Sequence, residues 1–176
     1  MKQSACFCLL IILTGLAACG YRFEGASAID LPRGMTRLNI TQVINPTQEV
    51  WLEPYLRSSL KDEFHRRGGV DWVAADKAQG HVQVEIFQFR TSDSVIGVDE
   101  TSVKSTLTIV MSVKILSAET SQELWNSGRL TGRDSYFLEA APSLTPGSVS
   151  AGRSPAGQEA VDQAVSRAAD RLSSGF

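Results

Sequence analysis

The apolar positions of this chain change period several times, and each change predicts an element. From Thr36 to Ile44 Leu38 and Ile40 share one face among β-branched residues, which predicts a strand. Asn45-Pro46-Thr47 closes it, because proline lacks an N–H and restricts the residue before it. The period then becomes four. Leu52, Leu56, Leu60 and Phe64 form one stripe over Glu49 to Arg67, with Arg57, Lys61, Asp62 and Glu63 off it, so a helix is expected. Pro54 is tolerated only in a first turn, which puts the helix start near Trp51. Glu49 and Glu53 at the start and His65-Arg66-Arg67 at the end complement the helix dipole, and Gly68-Gly69 supplies the stop.

Val70 to Val73 reads as a short edge segment. His81 to Phe89 reads as a strand whose alternation, Val82, Val84, Ile86, slips to Phe87 and Phe89, as at a bulge. Arg90 to Ser102, with Gly97 and the pair Asp99-Glu100, reads as a polar loop or hairpin end. The longest alternation spans Val103 to Leu116. Leu107, Ile109, Met111, Val113 and Ile115 share one face; Lys104, Thr106, Thr108, Ser112 and Lys114 share the other, with Val110 the exception. After a turn at Ser117 to Gln122, a fourth strand is expected from Glu123 to about Phe137. It sets Leu124 and Leu130 against Ser127, Arg129, Thr131 and Arg133, while Gly128 and Gly132 mark twists or close backbone approach.

Ala140 to Ser154 is a loop of Pro, Gly, Ser and Ala. Ser154-Pro155 is placed as N-cap and first position of a last helix, with Val161, Val165, Ala168 and Leu172 as its stripe. Strand–helix–strand order favours a parallel pair with a right-handed crossover, and the later strands follow one another as a meander. The predicted fold is α/β: a two-layer sandwich, with a four-stranded mixed sheet and two helices packed on one face. The opposite face is rich in Thr and Ser with scattered cations.

The N-terminus adds an address. Lys2 and the apolar run Ala5 to Leu13 form an export signal, too short for a permanent bilayer span. Leu16-Ala17-Ala18-Cys19 follows as a lipobox: small side chains fit a peptidase groove, and the thiol of Cys19 takes the lipid. The alternative is an ordinary signal with a chance cysteine near its cleavage site. The expected division is a removed signal at 1–18, a lipidated tether at 19–35 and one domain at 36–176. Gly20 is not an acidic retention residue, which favours sorting to the outer membrane. Cys6 and Cys8 leave with the signal, so no internal disulfide and no cysteine metal site is expected. The mature charge is 16 − 19 = −3, since Lys2 is lost from 17 basic residues, and that gives no support for nucleic-acid binding.

Catalytic patterns are missing. There is no Walker loop, no GxSxG elbow and no HExxH helix. His65 and His81 read as a dipole partner and a strand-edge polar residue, and Asp99 and Glu100 as a solvated tip. A binding or assembly module, with no enzymatic activity and no cofactor beyond the covalent lipid, is the expectation.

Cys19-Gly20-Tyr21-Arg22-Phe23, the turn at Leu31-Pro32, the helix ending Arg66-Arg67-Gly68 and the order of elements resemble the lipopolysaccharide-assembly lipoproteins of the LptE family. The resemblance implies a helix-backed sheet that plugs the lumen of the outer-membrane barrel LptD, assists its assembly and binds lipopolysaccharide. It places the protein at the outer membrane, lipid-anchored and periplasm-facing, with the domain inside a barrel lumen. The family's lipopolysaccharide-binding cations do not match this chain residue for residue, and none is carried over. From the chain itself, Arg90, Lys104, Arg129, Arg133 and Arg153 are the cations suited to lipid phosphates. Thr106, Thr108 and Thr131 are the residues expected to face the barrel. A periplasmic adaptor lipoprotein of another envelope lipid-transport complex is the alternative, and a purely structural lipoprotein a third.

Overall fold

The structure is a computed structural model, and it describes residues 28–96, 102–139 and 148–174. Cys19, Asp99 and Glu100 lie outside the described residues. Strand β1 (Arg37–Ile44) leads into helix α1 (Leu52–Arg67) and the two-residue strand β2 (Asp71–Trp72). A long hairpin follows, β3 (Gly80–Ile96) and β4 (Ser102–Ser117), then β5 (Glu123–Asn126), β6 (Leu130–Glu139) and helix α2 (Ser148–Ser173). The strands lie in the order β2-β1-β3-β4-β5, with β6 also on β4. Both β1 pairings are parallel; those of β3, β5 and β6 with β4 are antiparallel.

The predicted two layers are present, but the sheet has six strands instead of four. The first extra strand is β2, whose partner is the start of β1. The second arises because the expected fourth strand is broken in two. At the break, Gly128 adopts φ 63, and the Ser127 hydroxyl accepts the Val113 N–H (2.9 Å). β5 and β6 therefore run in succession along the same edge of β4. The break also changes phase. Trp125, not Leu124, pairs with inward-facing Ile115, while Leu130 pairs with inward-facing Met111.

The α1 stripe is buried as its spacing requires: Leu52, Leu56, Leu60 and Phe64 are all 0 % exposed. Gly68, at φ 80, ends the helix and donates its N–H to Phe64 and His65 carbonyls. Ala160, Val161, Ala164, Val165, Ala168 and Leu172 bring α2 onto the same core, with Ile109 to Ile115 of β4 beneath. Burying these apolar side chains contributes roughly 1.5–3 kcal/mol for each large one. Two bulges keep the inward phase. One falls between Ile40 and Gln42, the other between Ile86 and Gln88, so the slip read at Phe87 is a bulge.

Two segments differ from the sequence reading. Arg90 to Ile96, expected as loop, continues β3 in unbroken register with β4. Helix α2 starts at Ser148, and Pro155 lies inside it instead of at its first position. Proline there removes one backbone donor, which in a helix interior costs about 3 kcal/mol.

The helices are also tied by polar contacts. Asp162 accepts hydrogen bonds from the Tyr55 hydroxyl (2.8 Å) and the Ser59 hydroxyl (2.5 Å). Arg67, 2 % exposed in its side chain, pairs with Glu63 and Asp170, each at 2.7 Å, and donates to Ser166.

Candidate functional site

The helices cover one face of the sheet; the other is open and its composition follows from strand register. Because side chains alternate, each cross-strand row on β3, β4 and β6 exposes one set of neighbours. Thr108 lies between Arg90 and Arg133 in register, so two arginine positions flank one threonine. The next row holds Ser92, Thr106 and Ser135, with Thr106 Oγ1 and Ser135 Oγ 3.0 Å apart. Beyond it, Lys104 lies between Ser94 and Phe137, its Nζ 6.0 Å from the Phe137 ring centroid. On the other side of the Thr108 row, Val110 lies between Gln88 and Thr131.

These four rows contain three cations and no carboxylate. Asp93 and Asp134 belong to the opposite parity: Asp93 accepts the hydroxyl of Ser105 (2.7 Å), and Asp134 is registered with Leu107. Arg90, Lys104 and Arg133 have no ion-pair partner among the described residues. Arg90 and Arg133 are exposed and Lys104 is half-buried. These rows therefore form a positive, hydroxyl-rich patch, flanked in register by Glu85 opposite Ser112 and Glu139 opposite Ser102.

Arg129 sits just before Leu130, its Cζ 5.1 Å from the ring centroid of Phe87 at the β3 bulge. The turn that presents it is held from behind: the Arg171 guanidinium donates to the carbonyls of Ser127 and Arg129. The late arginine of α2 thus fixes a turn in the sheet.

The sequence-predicted residues divide as follows. Arg90, Lys104, Arg133, Thr106, Thr108 and Thr131 come together on one face, with Arg129 beside them. Thr108 is only 6 % exposed, closed in between the two arginine positions, whereas Thr106 and Thr131 are half-buried. Arg153 falls in the first turns of α2, and its side chain lies outside the described residues, as does Cys19. Gln88, Ser92, Ser94 and Phe137 are additional members. The three β3 residues were hidden because that strand has no apolar alternation after Phe89.

This helix-backed sheet is a fold found among bacterial lipoproteins. The solution structure of lipoprotein B from Nitrosomonas europaea is similar, at 16 % identity and TM-score 0.50, over 88 % of this chain and 91 % of that one. A hypothetical protein from Chlamydia trachomatis is similar too, at 12 % identity and TM-score 0.51, over 80 % of this chain and 99 % of that one. At such identities the likeness is one of fold. A comparison with curated proteins gives no significant match. The family model of LptE, lipopolysaccharide assembly, matches residues 35–174, and the chain belongs to that family.

Proposed function

We propose that this protein is an outer-membrane lipoprotein, held by lipid on Cys19, that sits in the lumen of an LptD-type barrel and takes part in delivering lipopolysaccharide to the outer leaflet. It works by binding and by assisting barrel assembly, without catalysis. The observation that carries this reading is the hydroxyl-rich patch built on Arg90, Lys104, Thr106 and Arg133, four cross-strand rows without a carboxylate. A lumen of a large barrel is polar and wet, and a hydroxyl-rich sheet face suits it better than it suits a dry protein interface. Unpaired cations on that face are complementary to the phosphates of lipopolysaccharide.

Photo-crosslinkers at Thr106 and Thr131, with Lys61 on the exposed side of α1 as control, test the reading in membranes. Capture of a barrel protein from the two sheet positions, and not from Lys61, is the expected outcome. Capture of a soluble or inner-membrane transport component instead would favour the periplasmic-adaptor alternative. Intact mass of the membrane-extracted protein tests the anchor. A chain beginning at any residue but Cys19, or carrying no lipid, refutes it.

A further inference from the structure

We propose a second site at the opposite end of the sheet from the hairpin tip: a basin that takes the headgroup of a zwitterionic aminophospholipid. The proposal goes beyond the outer-face reading and shares with it only the lipid anchor. A cavity of about 550 Å³ opens there, within the ~300–1,000 Å³ that small-molecule sites occupy. Its walls come from separate stretches: Arg33 and Arg37 around the start of β1, Asp76 and Lys77 on the turn before β3, and Glu119 after β4. Gln79 stitches them together. Its side-chain carbonyl accepts the N–H groups of Thr36 (3.0 Å) and Arg37 (3.1 Å), and its backbone bonds both Arg37 and Ala118. The basin is therefore a built shape and not a chance gap between loops.

Its charges are open. Arg33, Arg37 and Lys77 are exposed, as are Asp76 and Glu119, and none of the five forms an ion pair among the described residues. Cations suit a phosphodiester, carboxylates suit an ammonium, and a ligand that uses both carries both. Met35 and Leu124 supply the apolar wall that a glycerol and the first acyl methylenes need. Arg33 also holds a left-handed backbone, φ 58, ψ 24, a conformation that L-residues other than Asn and Asp rarely adopt. Turn bonds from Gly34 to Leu31 and from Met35 to Pro32 hold it there, and Arg33 borders a second cavity of about 300 Å³ beside the first. Strain maintained at a charged pocket wall is typical of a binding position. Finally, only 29 − 19 = 10 residue steps lead from Cys19 to Ile29, an extended reach of at most about 35 Å. A domain anchored at Cys19 has its first described residues within that reach of the membrane surface.

The test uses the full lipidated protein, nitrogen-15 labelled, in a maltoside detergent. Dihexanoyl phosphatidylethanolamine, kept below its micelle concentration, is titrated against the amide spectrum, with dihexanoyl phosphatidylglycerol, inorganic phosphate and ethanolamine as separate arms. Saturable shifts around Arg33, Arg37, Lys77 and Glu119, at least fivefold tighter for the ethanolamine lipid than for the glycerol lipid, are expected. Arg37→Gln with Lys77→Gln should weaken binding at least tenfold, and Asp76→Asn with Glu119→Gln should remove the preference between the two lipids. Absence of shifts at these amides overturns the proposal. Equal affinity for inorganic phosphate overturns it in favour of a free-anion site, and equal affinity for the glycerol lipid in favour of a plain anionic site. Should the first pair of variants unfold, the second pair decides. Reversal of Lys104 and Arg133 leaves this binding unchanged, so failure of the outer-face reading is seen separately.

Discussion

Replacing Gly132 by alanine puts a methyl group where the backbone of α2 already is. Gly132 is registered with inward-facing Ile109. A Cβ there would lie 1.7 Å from the Ala160 carbonyl oxygen, 2.7 Å from its carbon and 3.1 Å from the Ala164 nitrogen. A carbon–oxygen contact needs about 3.3 Å, so the helix must retreat by roughly 1.6 Å. These are helix backbone atoms, and no side-chain rotation relieves them. Retreat opens a gap along Ala160, Val161, Ala164 and Val165, all 0 % exposed. A gap of 0.5–1 Å already forfeits about a quarter to a half of each contact's attraction. Overpacking typically costs about 1–3 kcal/mol, and this backbone-on-backbone case belongs at the upper end, about 3 kcal/mol. For a domain of this size that lowers Tm by roughly 6–12 °C. Urea unfolding is the assay, with the midpoint falling at unchanged slope. Gly128→Ala is the comparison: φ is +63, but the nearest atom is the Arg171 Nη1 at 3.5 Å, so only the conformational cost of roughly 1–2 kcal/mol applies. A Gly132→Ala variant within 1 kcal/mol of the parent, or milder than Gly128→Ala, would refute the close-packing argument.

Arg67→Met should cost about 3 kcal/mol in urea unfolding, because it strands Glu63 and Ser166 at the helix seam; the exposed Asp170 and the remaining Arg66 keep the loss from being larger. Burial, the largest influence, pushes the Glu63 carboxyl up, but hydrogen bonds and charge from Arg66 and Arg67 together hold it below its ordinary value. Its stabilisation is therefore present above the unfolded carboxylate pKa and lost as pH falls through the lowered folded value, so Glu63→Gln should flatten the acid limb of a stability–pH profile. Burial, then the hydrogen bond to Asp162, pushes the Tyr55 hydroxyl up to about 12 from 10.0. Stability should fall between those two pH values as the unfolded chain ionises first, and Tyr55→Phe should abolish that loss. Lys104→Glu with Arg133→Glu should weaken binding of purified lipopolysaccharide at low salt by tenfold or more, with unfolding midpoint and barrel association retained; unchanged affinity removes these residues from the site.

Much of the fold follows from periods that one strand or helix alone can display. The α1 stripe, the β4 alternation and the slip at Phe87 each depend on local geometry, and the structure matches them. What the sequence reading missed depends on partners. Arg90 to Ser94 contains no apolar residue, so only pairing with β4 makes it a strand. Pro155 marks a helix start by local rules, yet the helix continues upstream of it. The break in the fourth strand had a readable signal: Trp125 and Leu130 have opposite parity, which forces a phase change between them at Gly128. Buried Arg67 had one too. It lies three residues beyond Phe64, on the apolar stripe, where a charge needs partners from another element. On the outer face, the sequence supplied the cations, and only register across three strands brought Arg90 and Arg133 to either side of Thr108.

That juxtaposition bears on what the proposed barrel site would ask of the face. Arg90 and Arg133 are two strand spacings apart, about 10 Å between backbones. In water, two like charges at that distance repel by only about 0.4 kcal/mol, and salt screens most of it. A patch of unpaired cations is therefore tolerable on an isolated, solvated domain, and no carboxylate within it is required. At an effective dielectric of about 20, as at a confined protein surface, the same repulsion rises to roughly 1.7 kcal/mol per pair. Lys104, two rows away, adds to it. A domain carrying this face into a barrel lumen would gain by meeting a lipid phosphate there. The half-buried hydroxyls of Thr106 and Ser135, in the row between the arginines and Lys104, add donors beside the cations. Under the proposed reading, cations without ion-pair partners among the described residues, set among hydroxyl side chains, are what an anionic partner would meet.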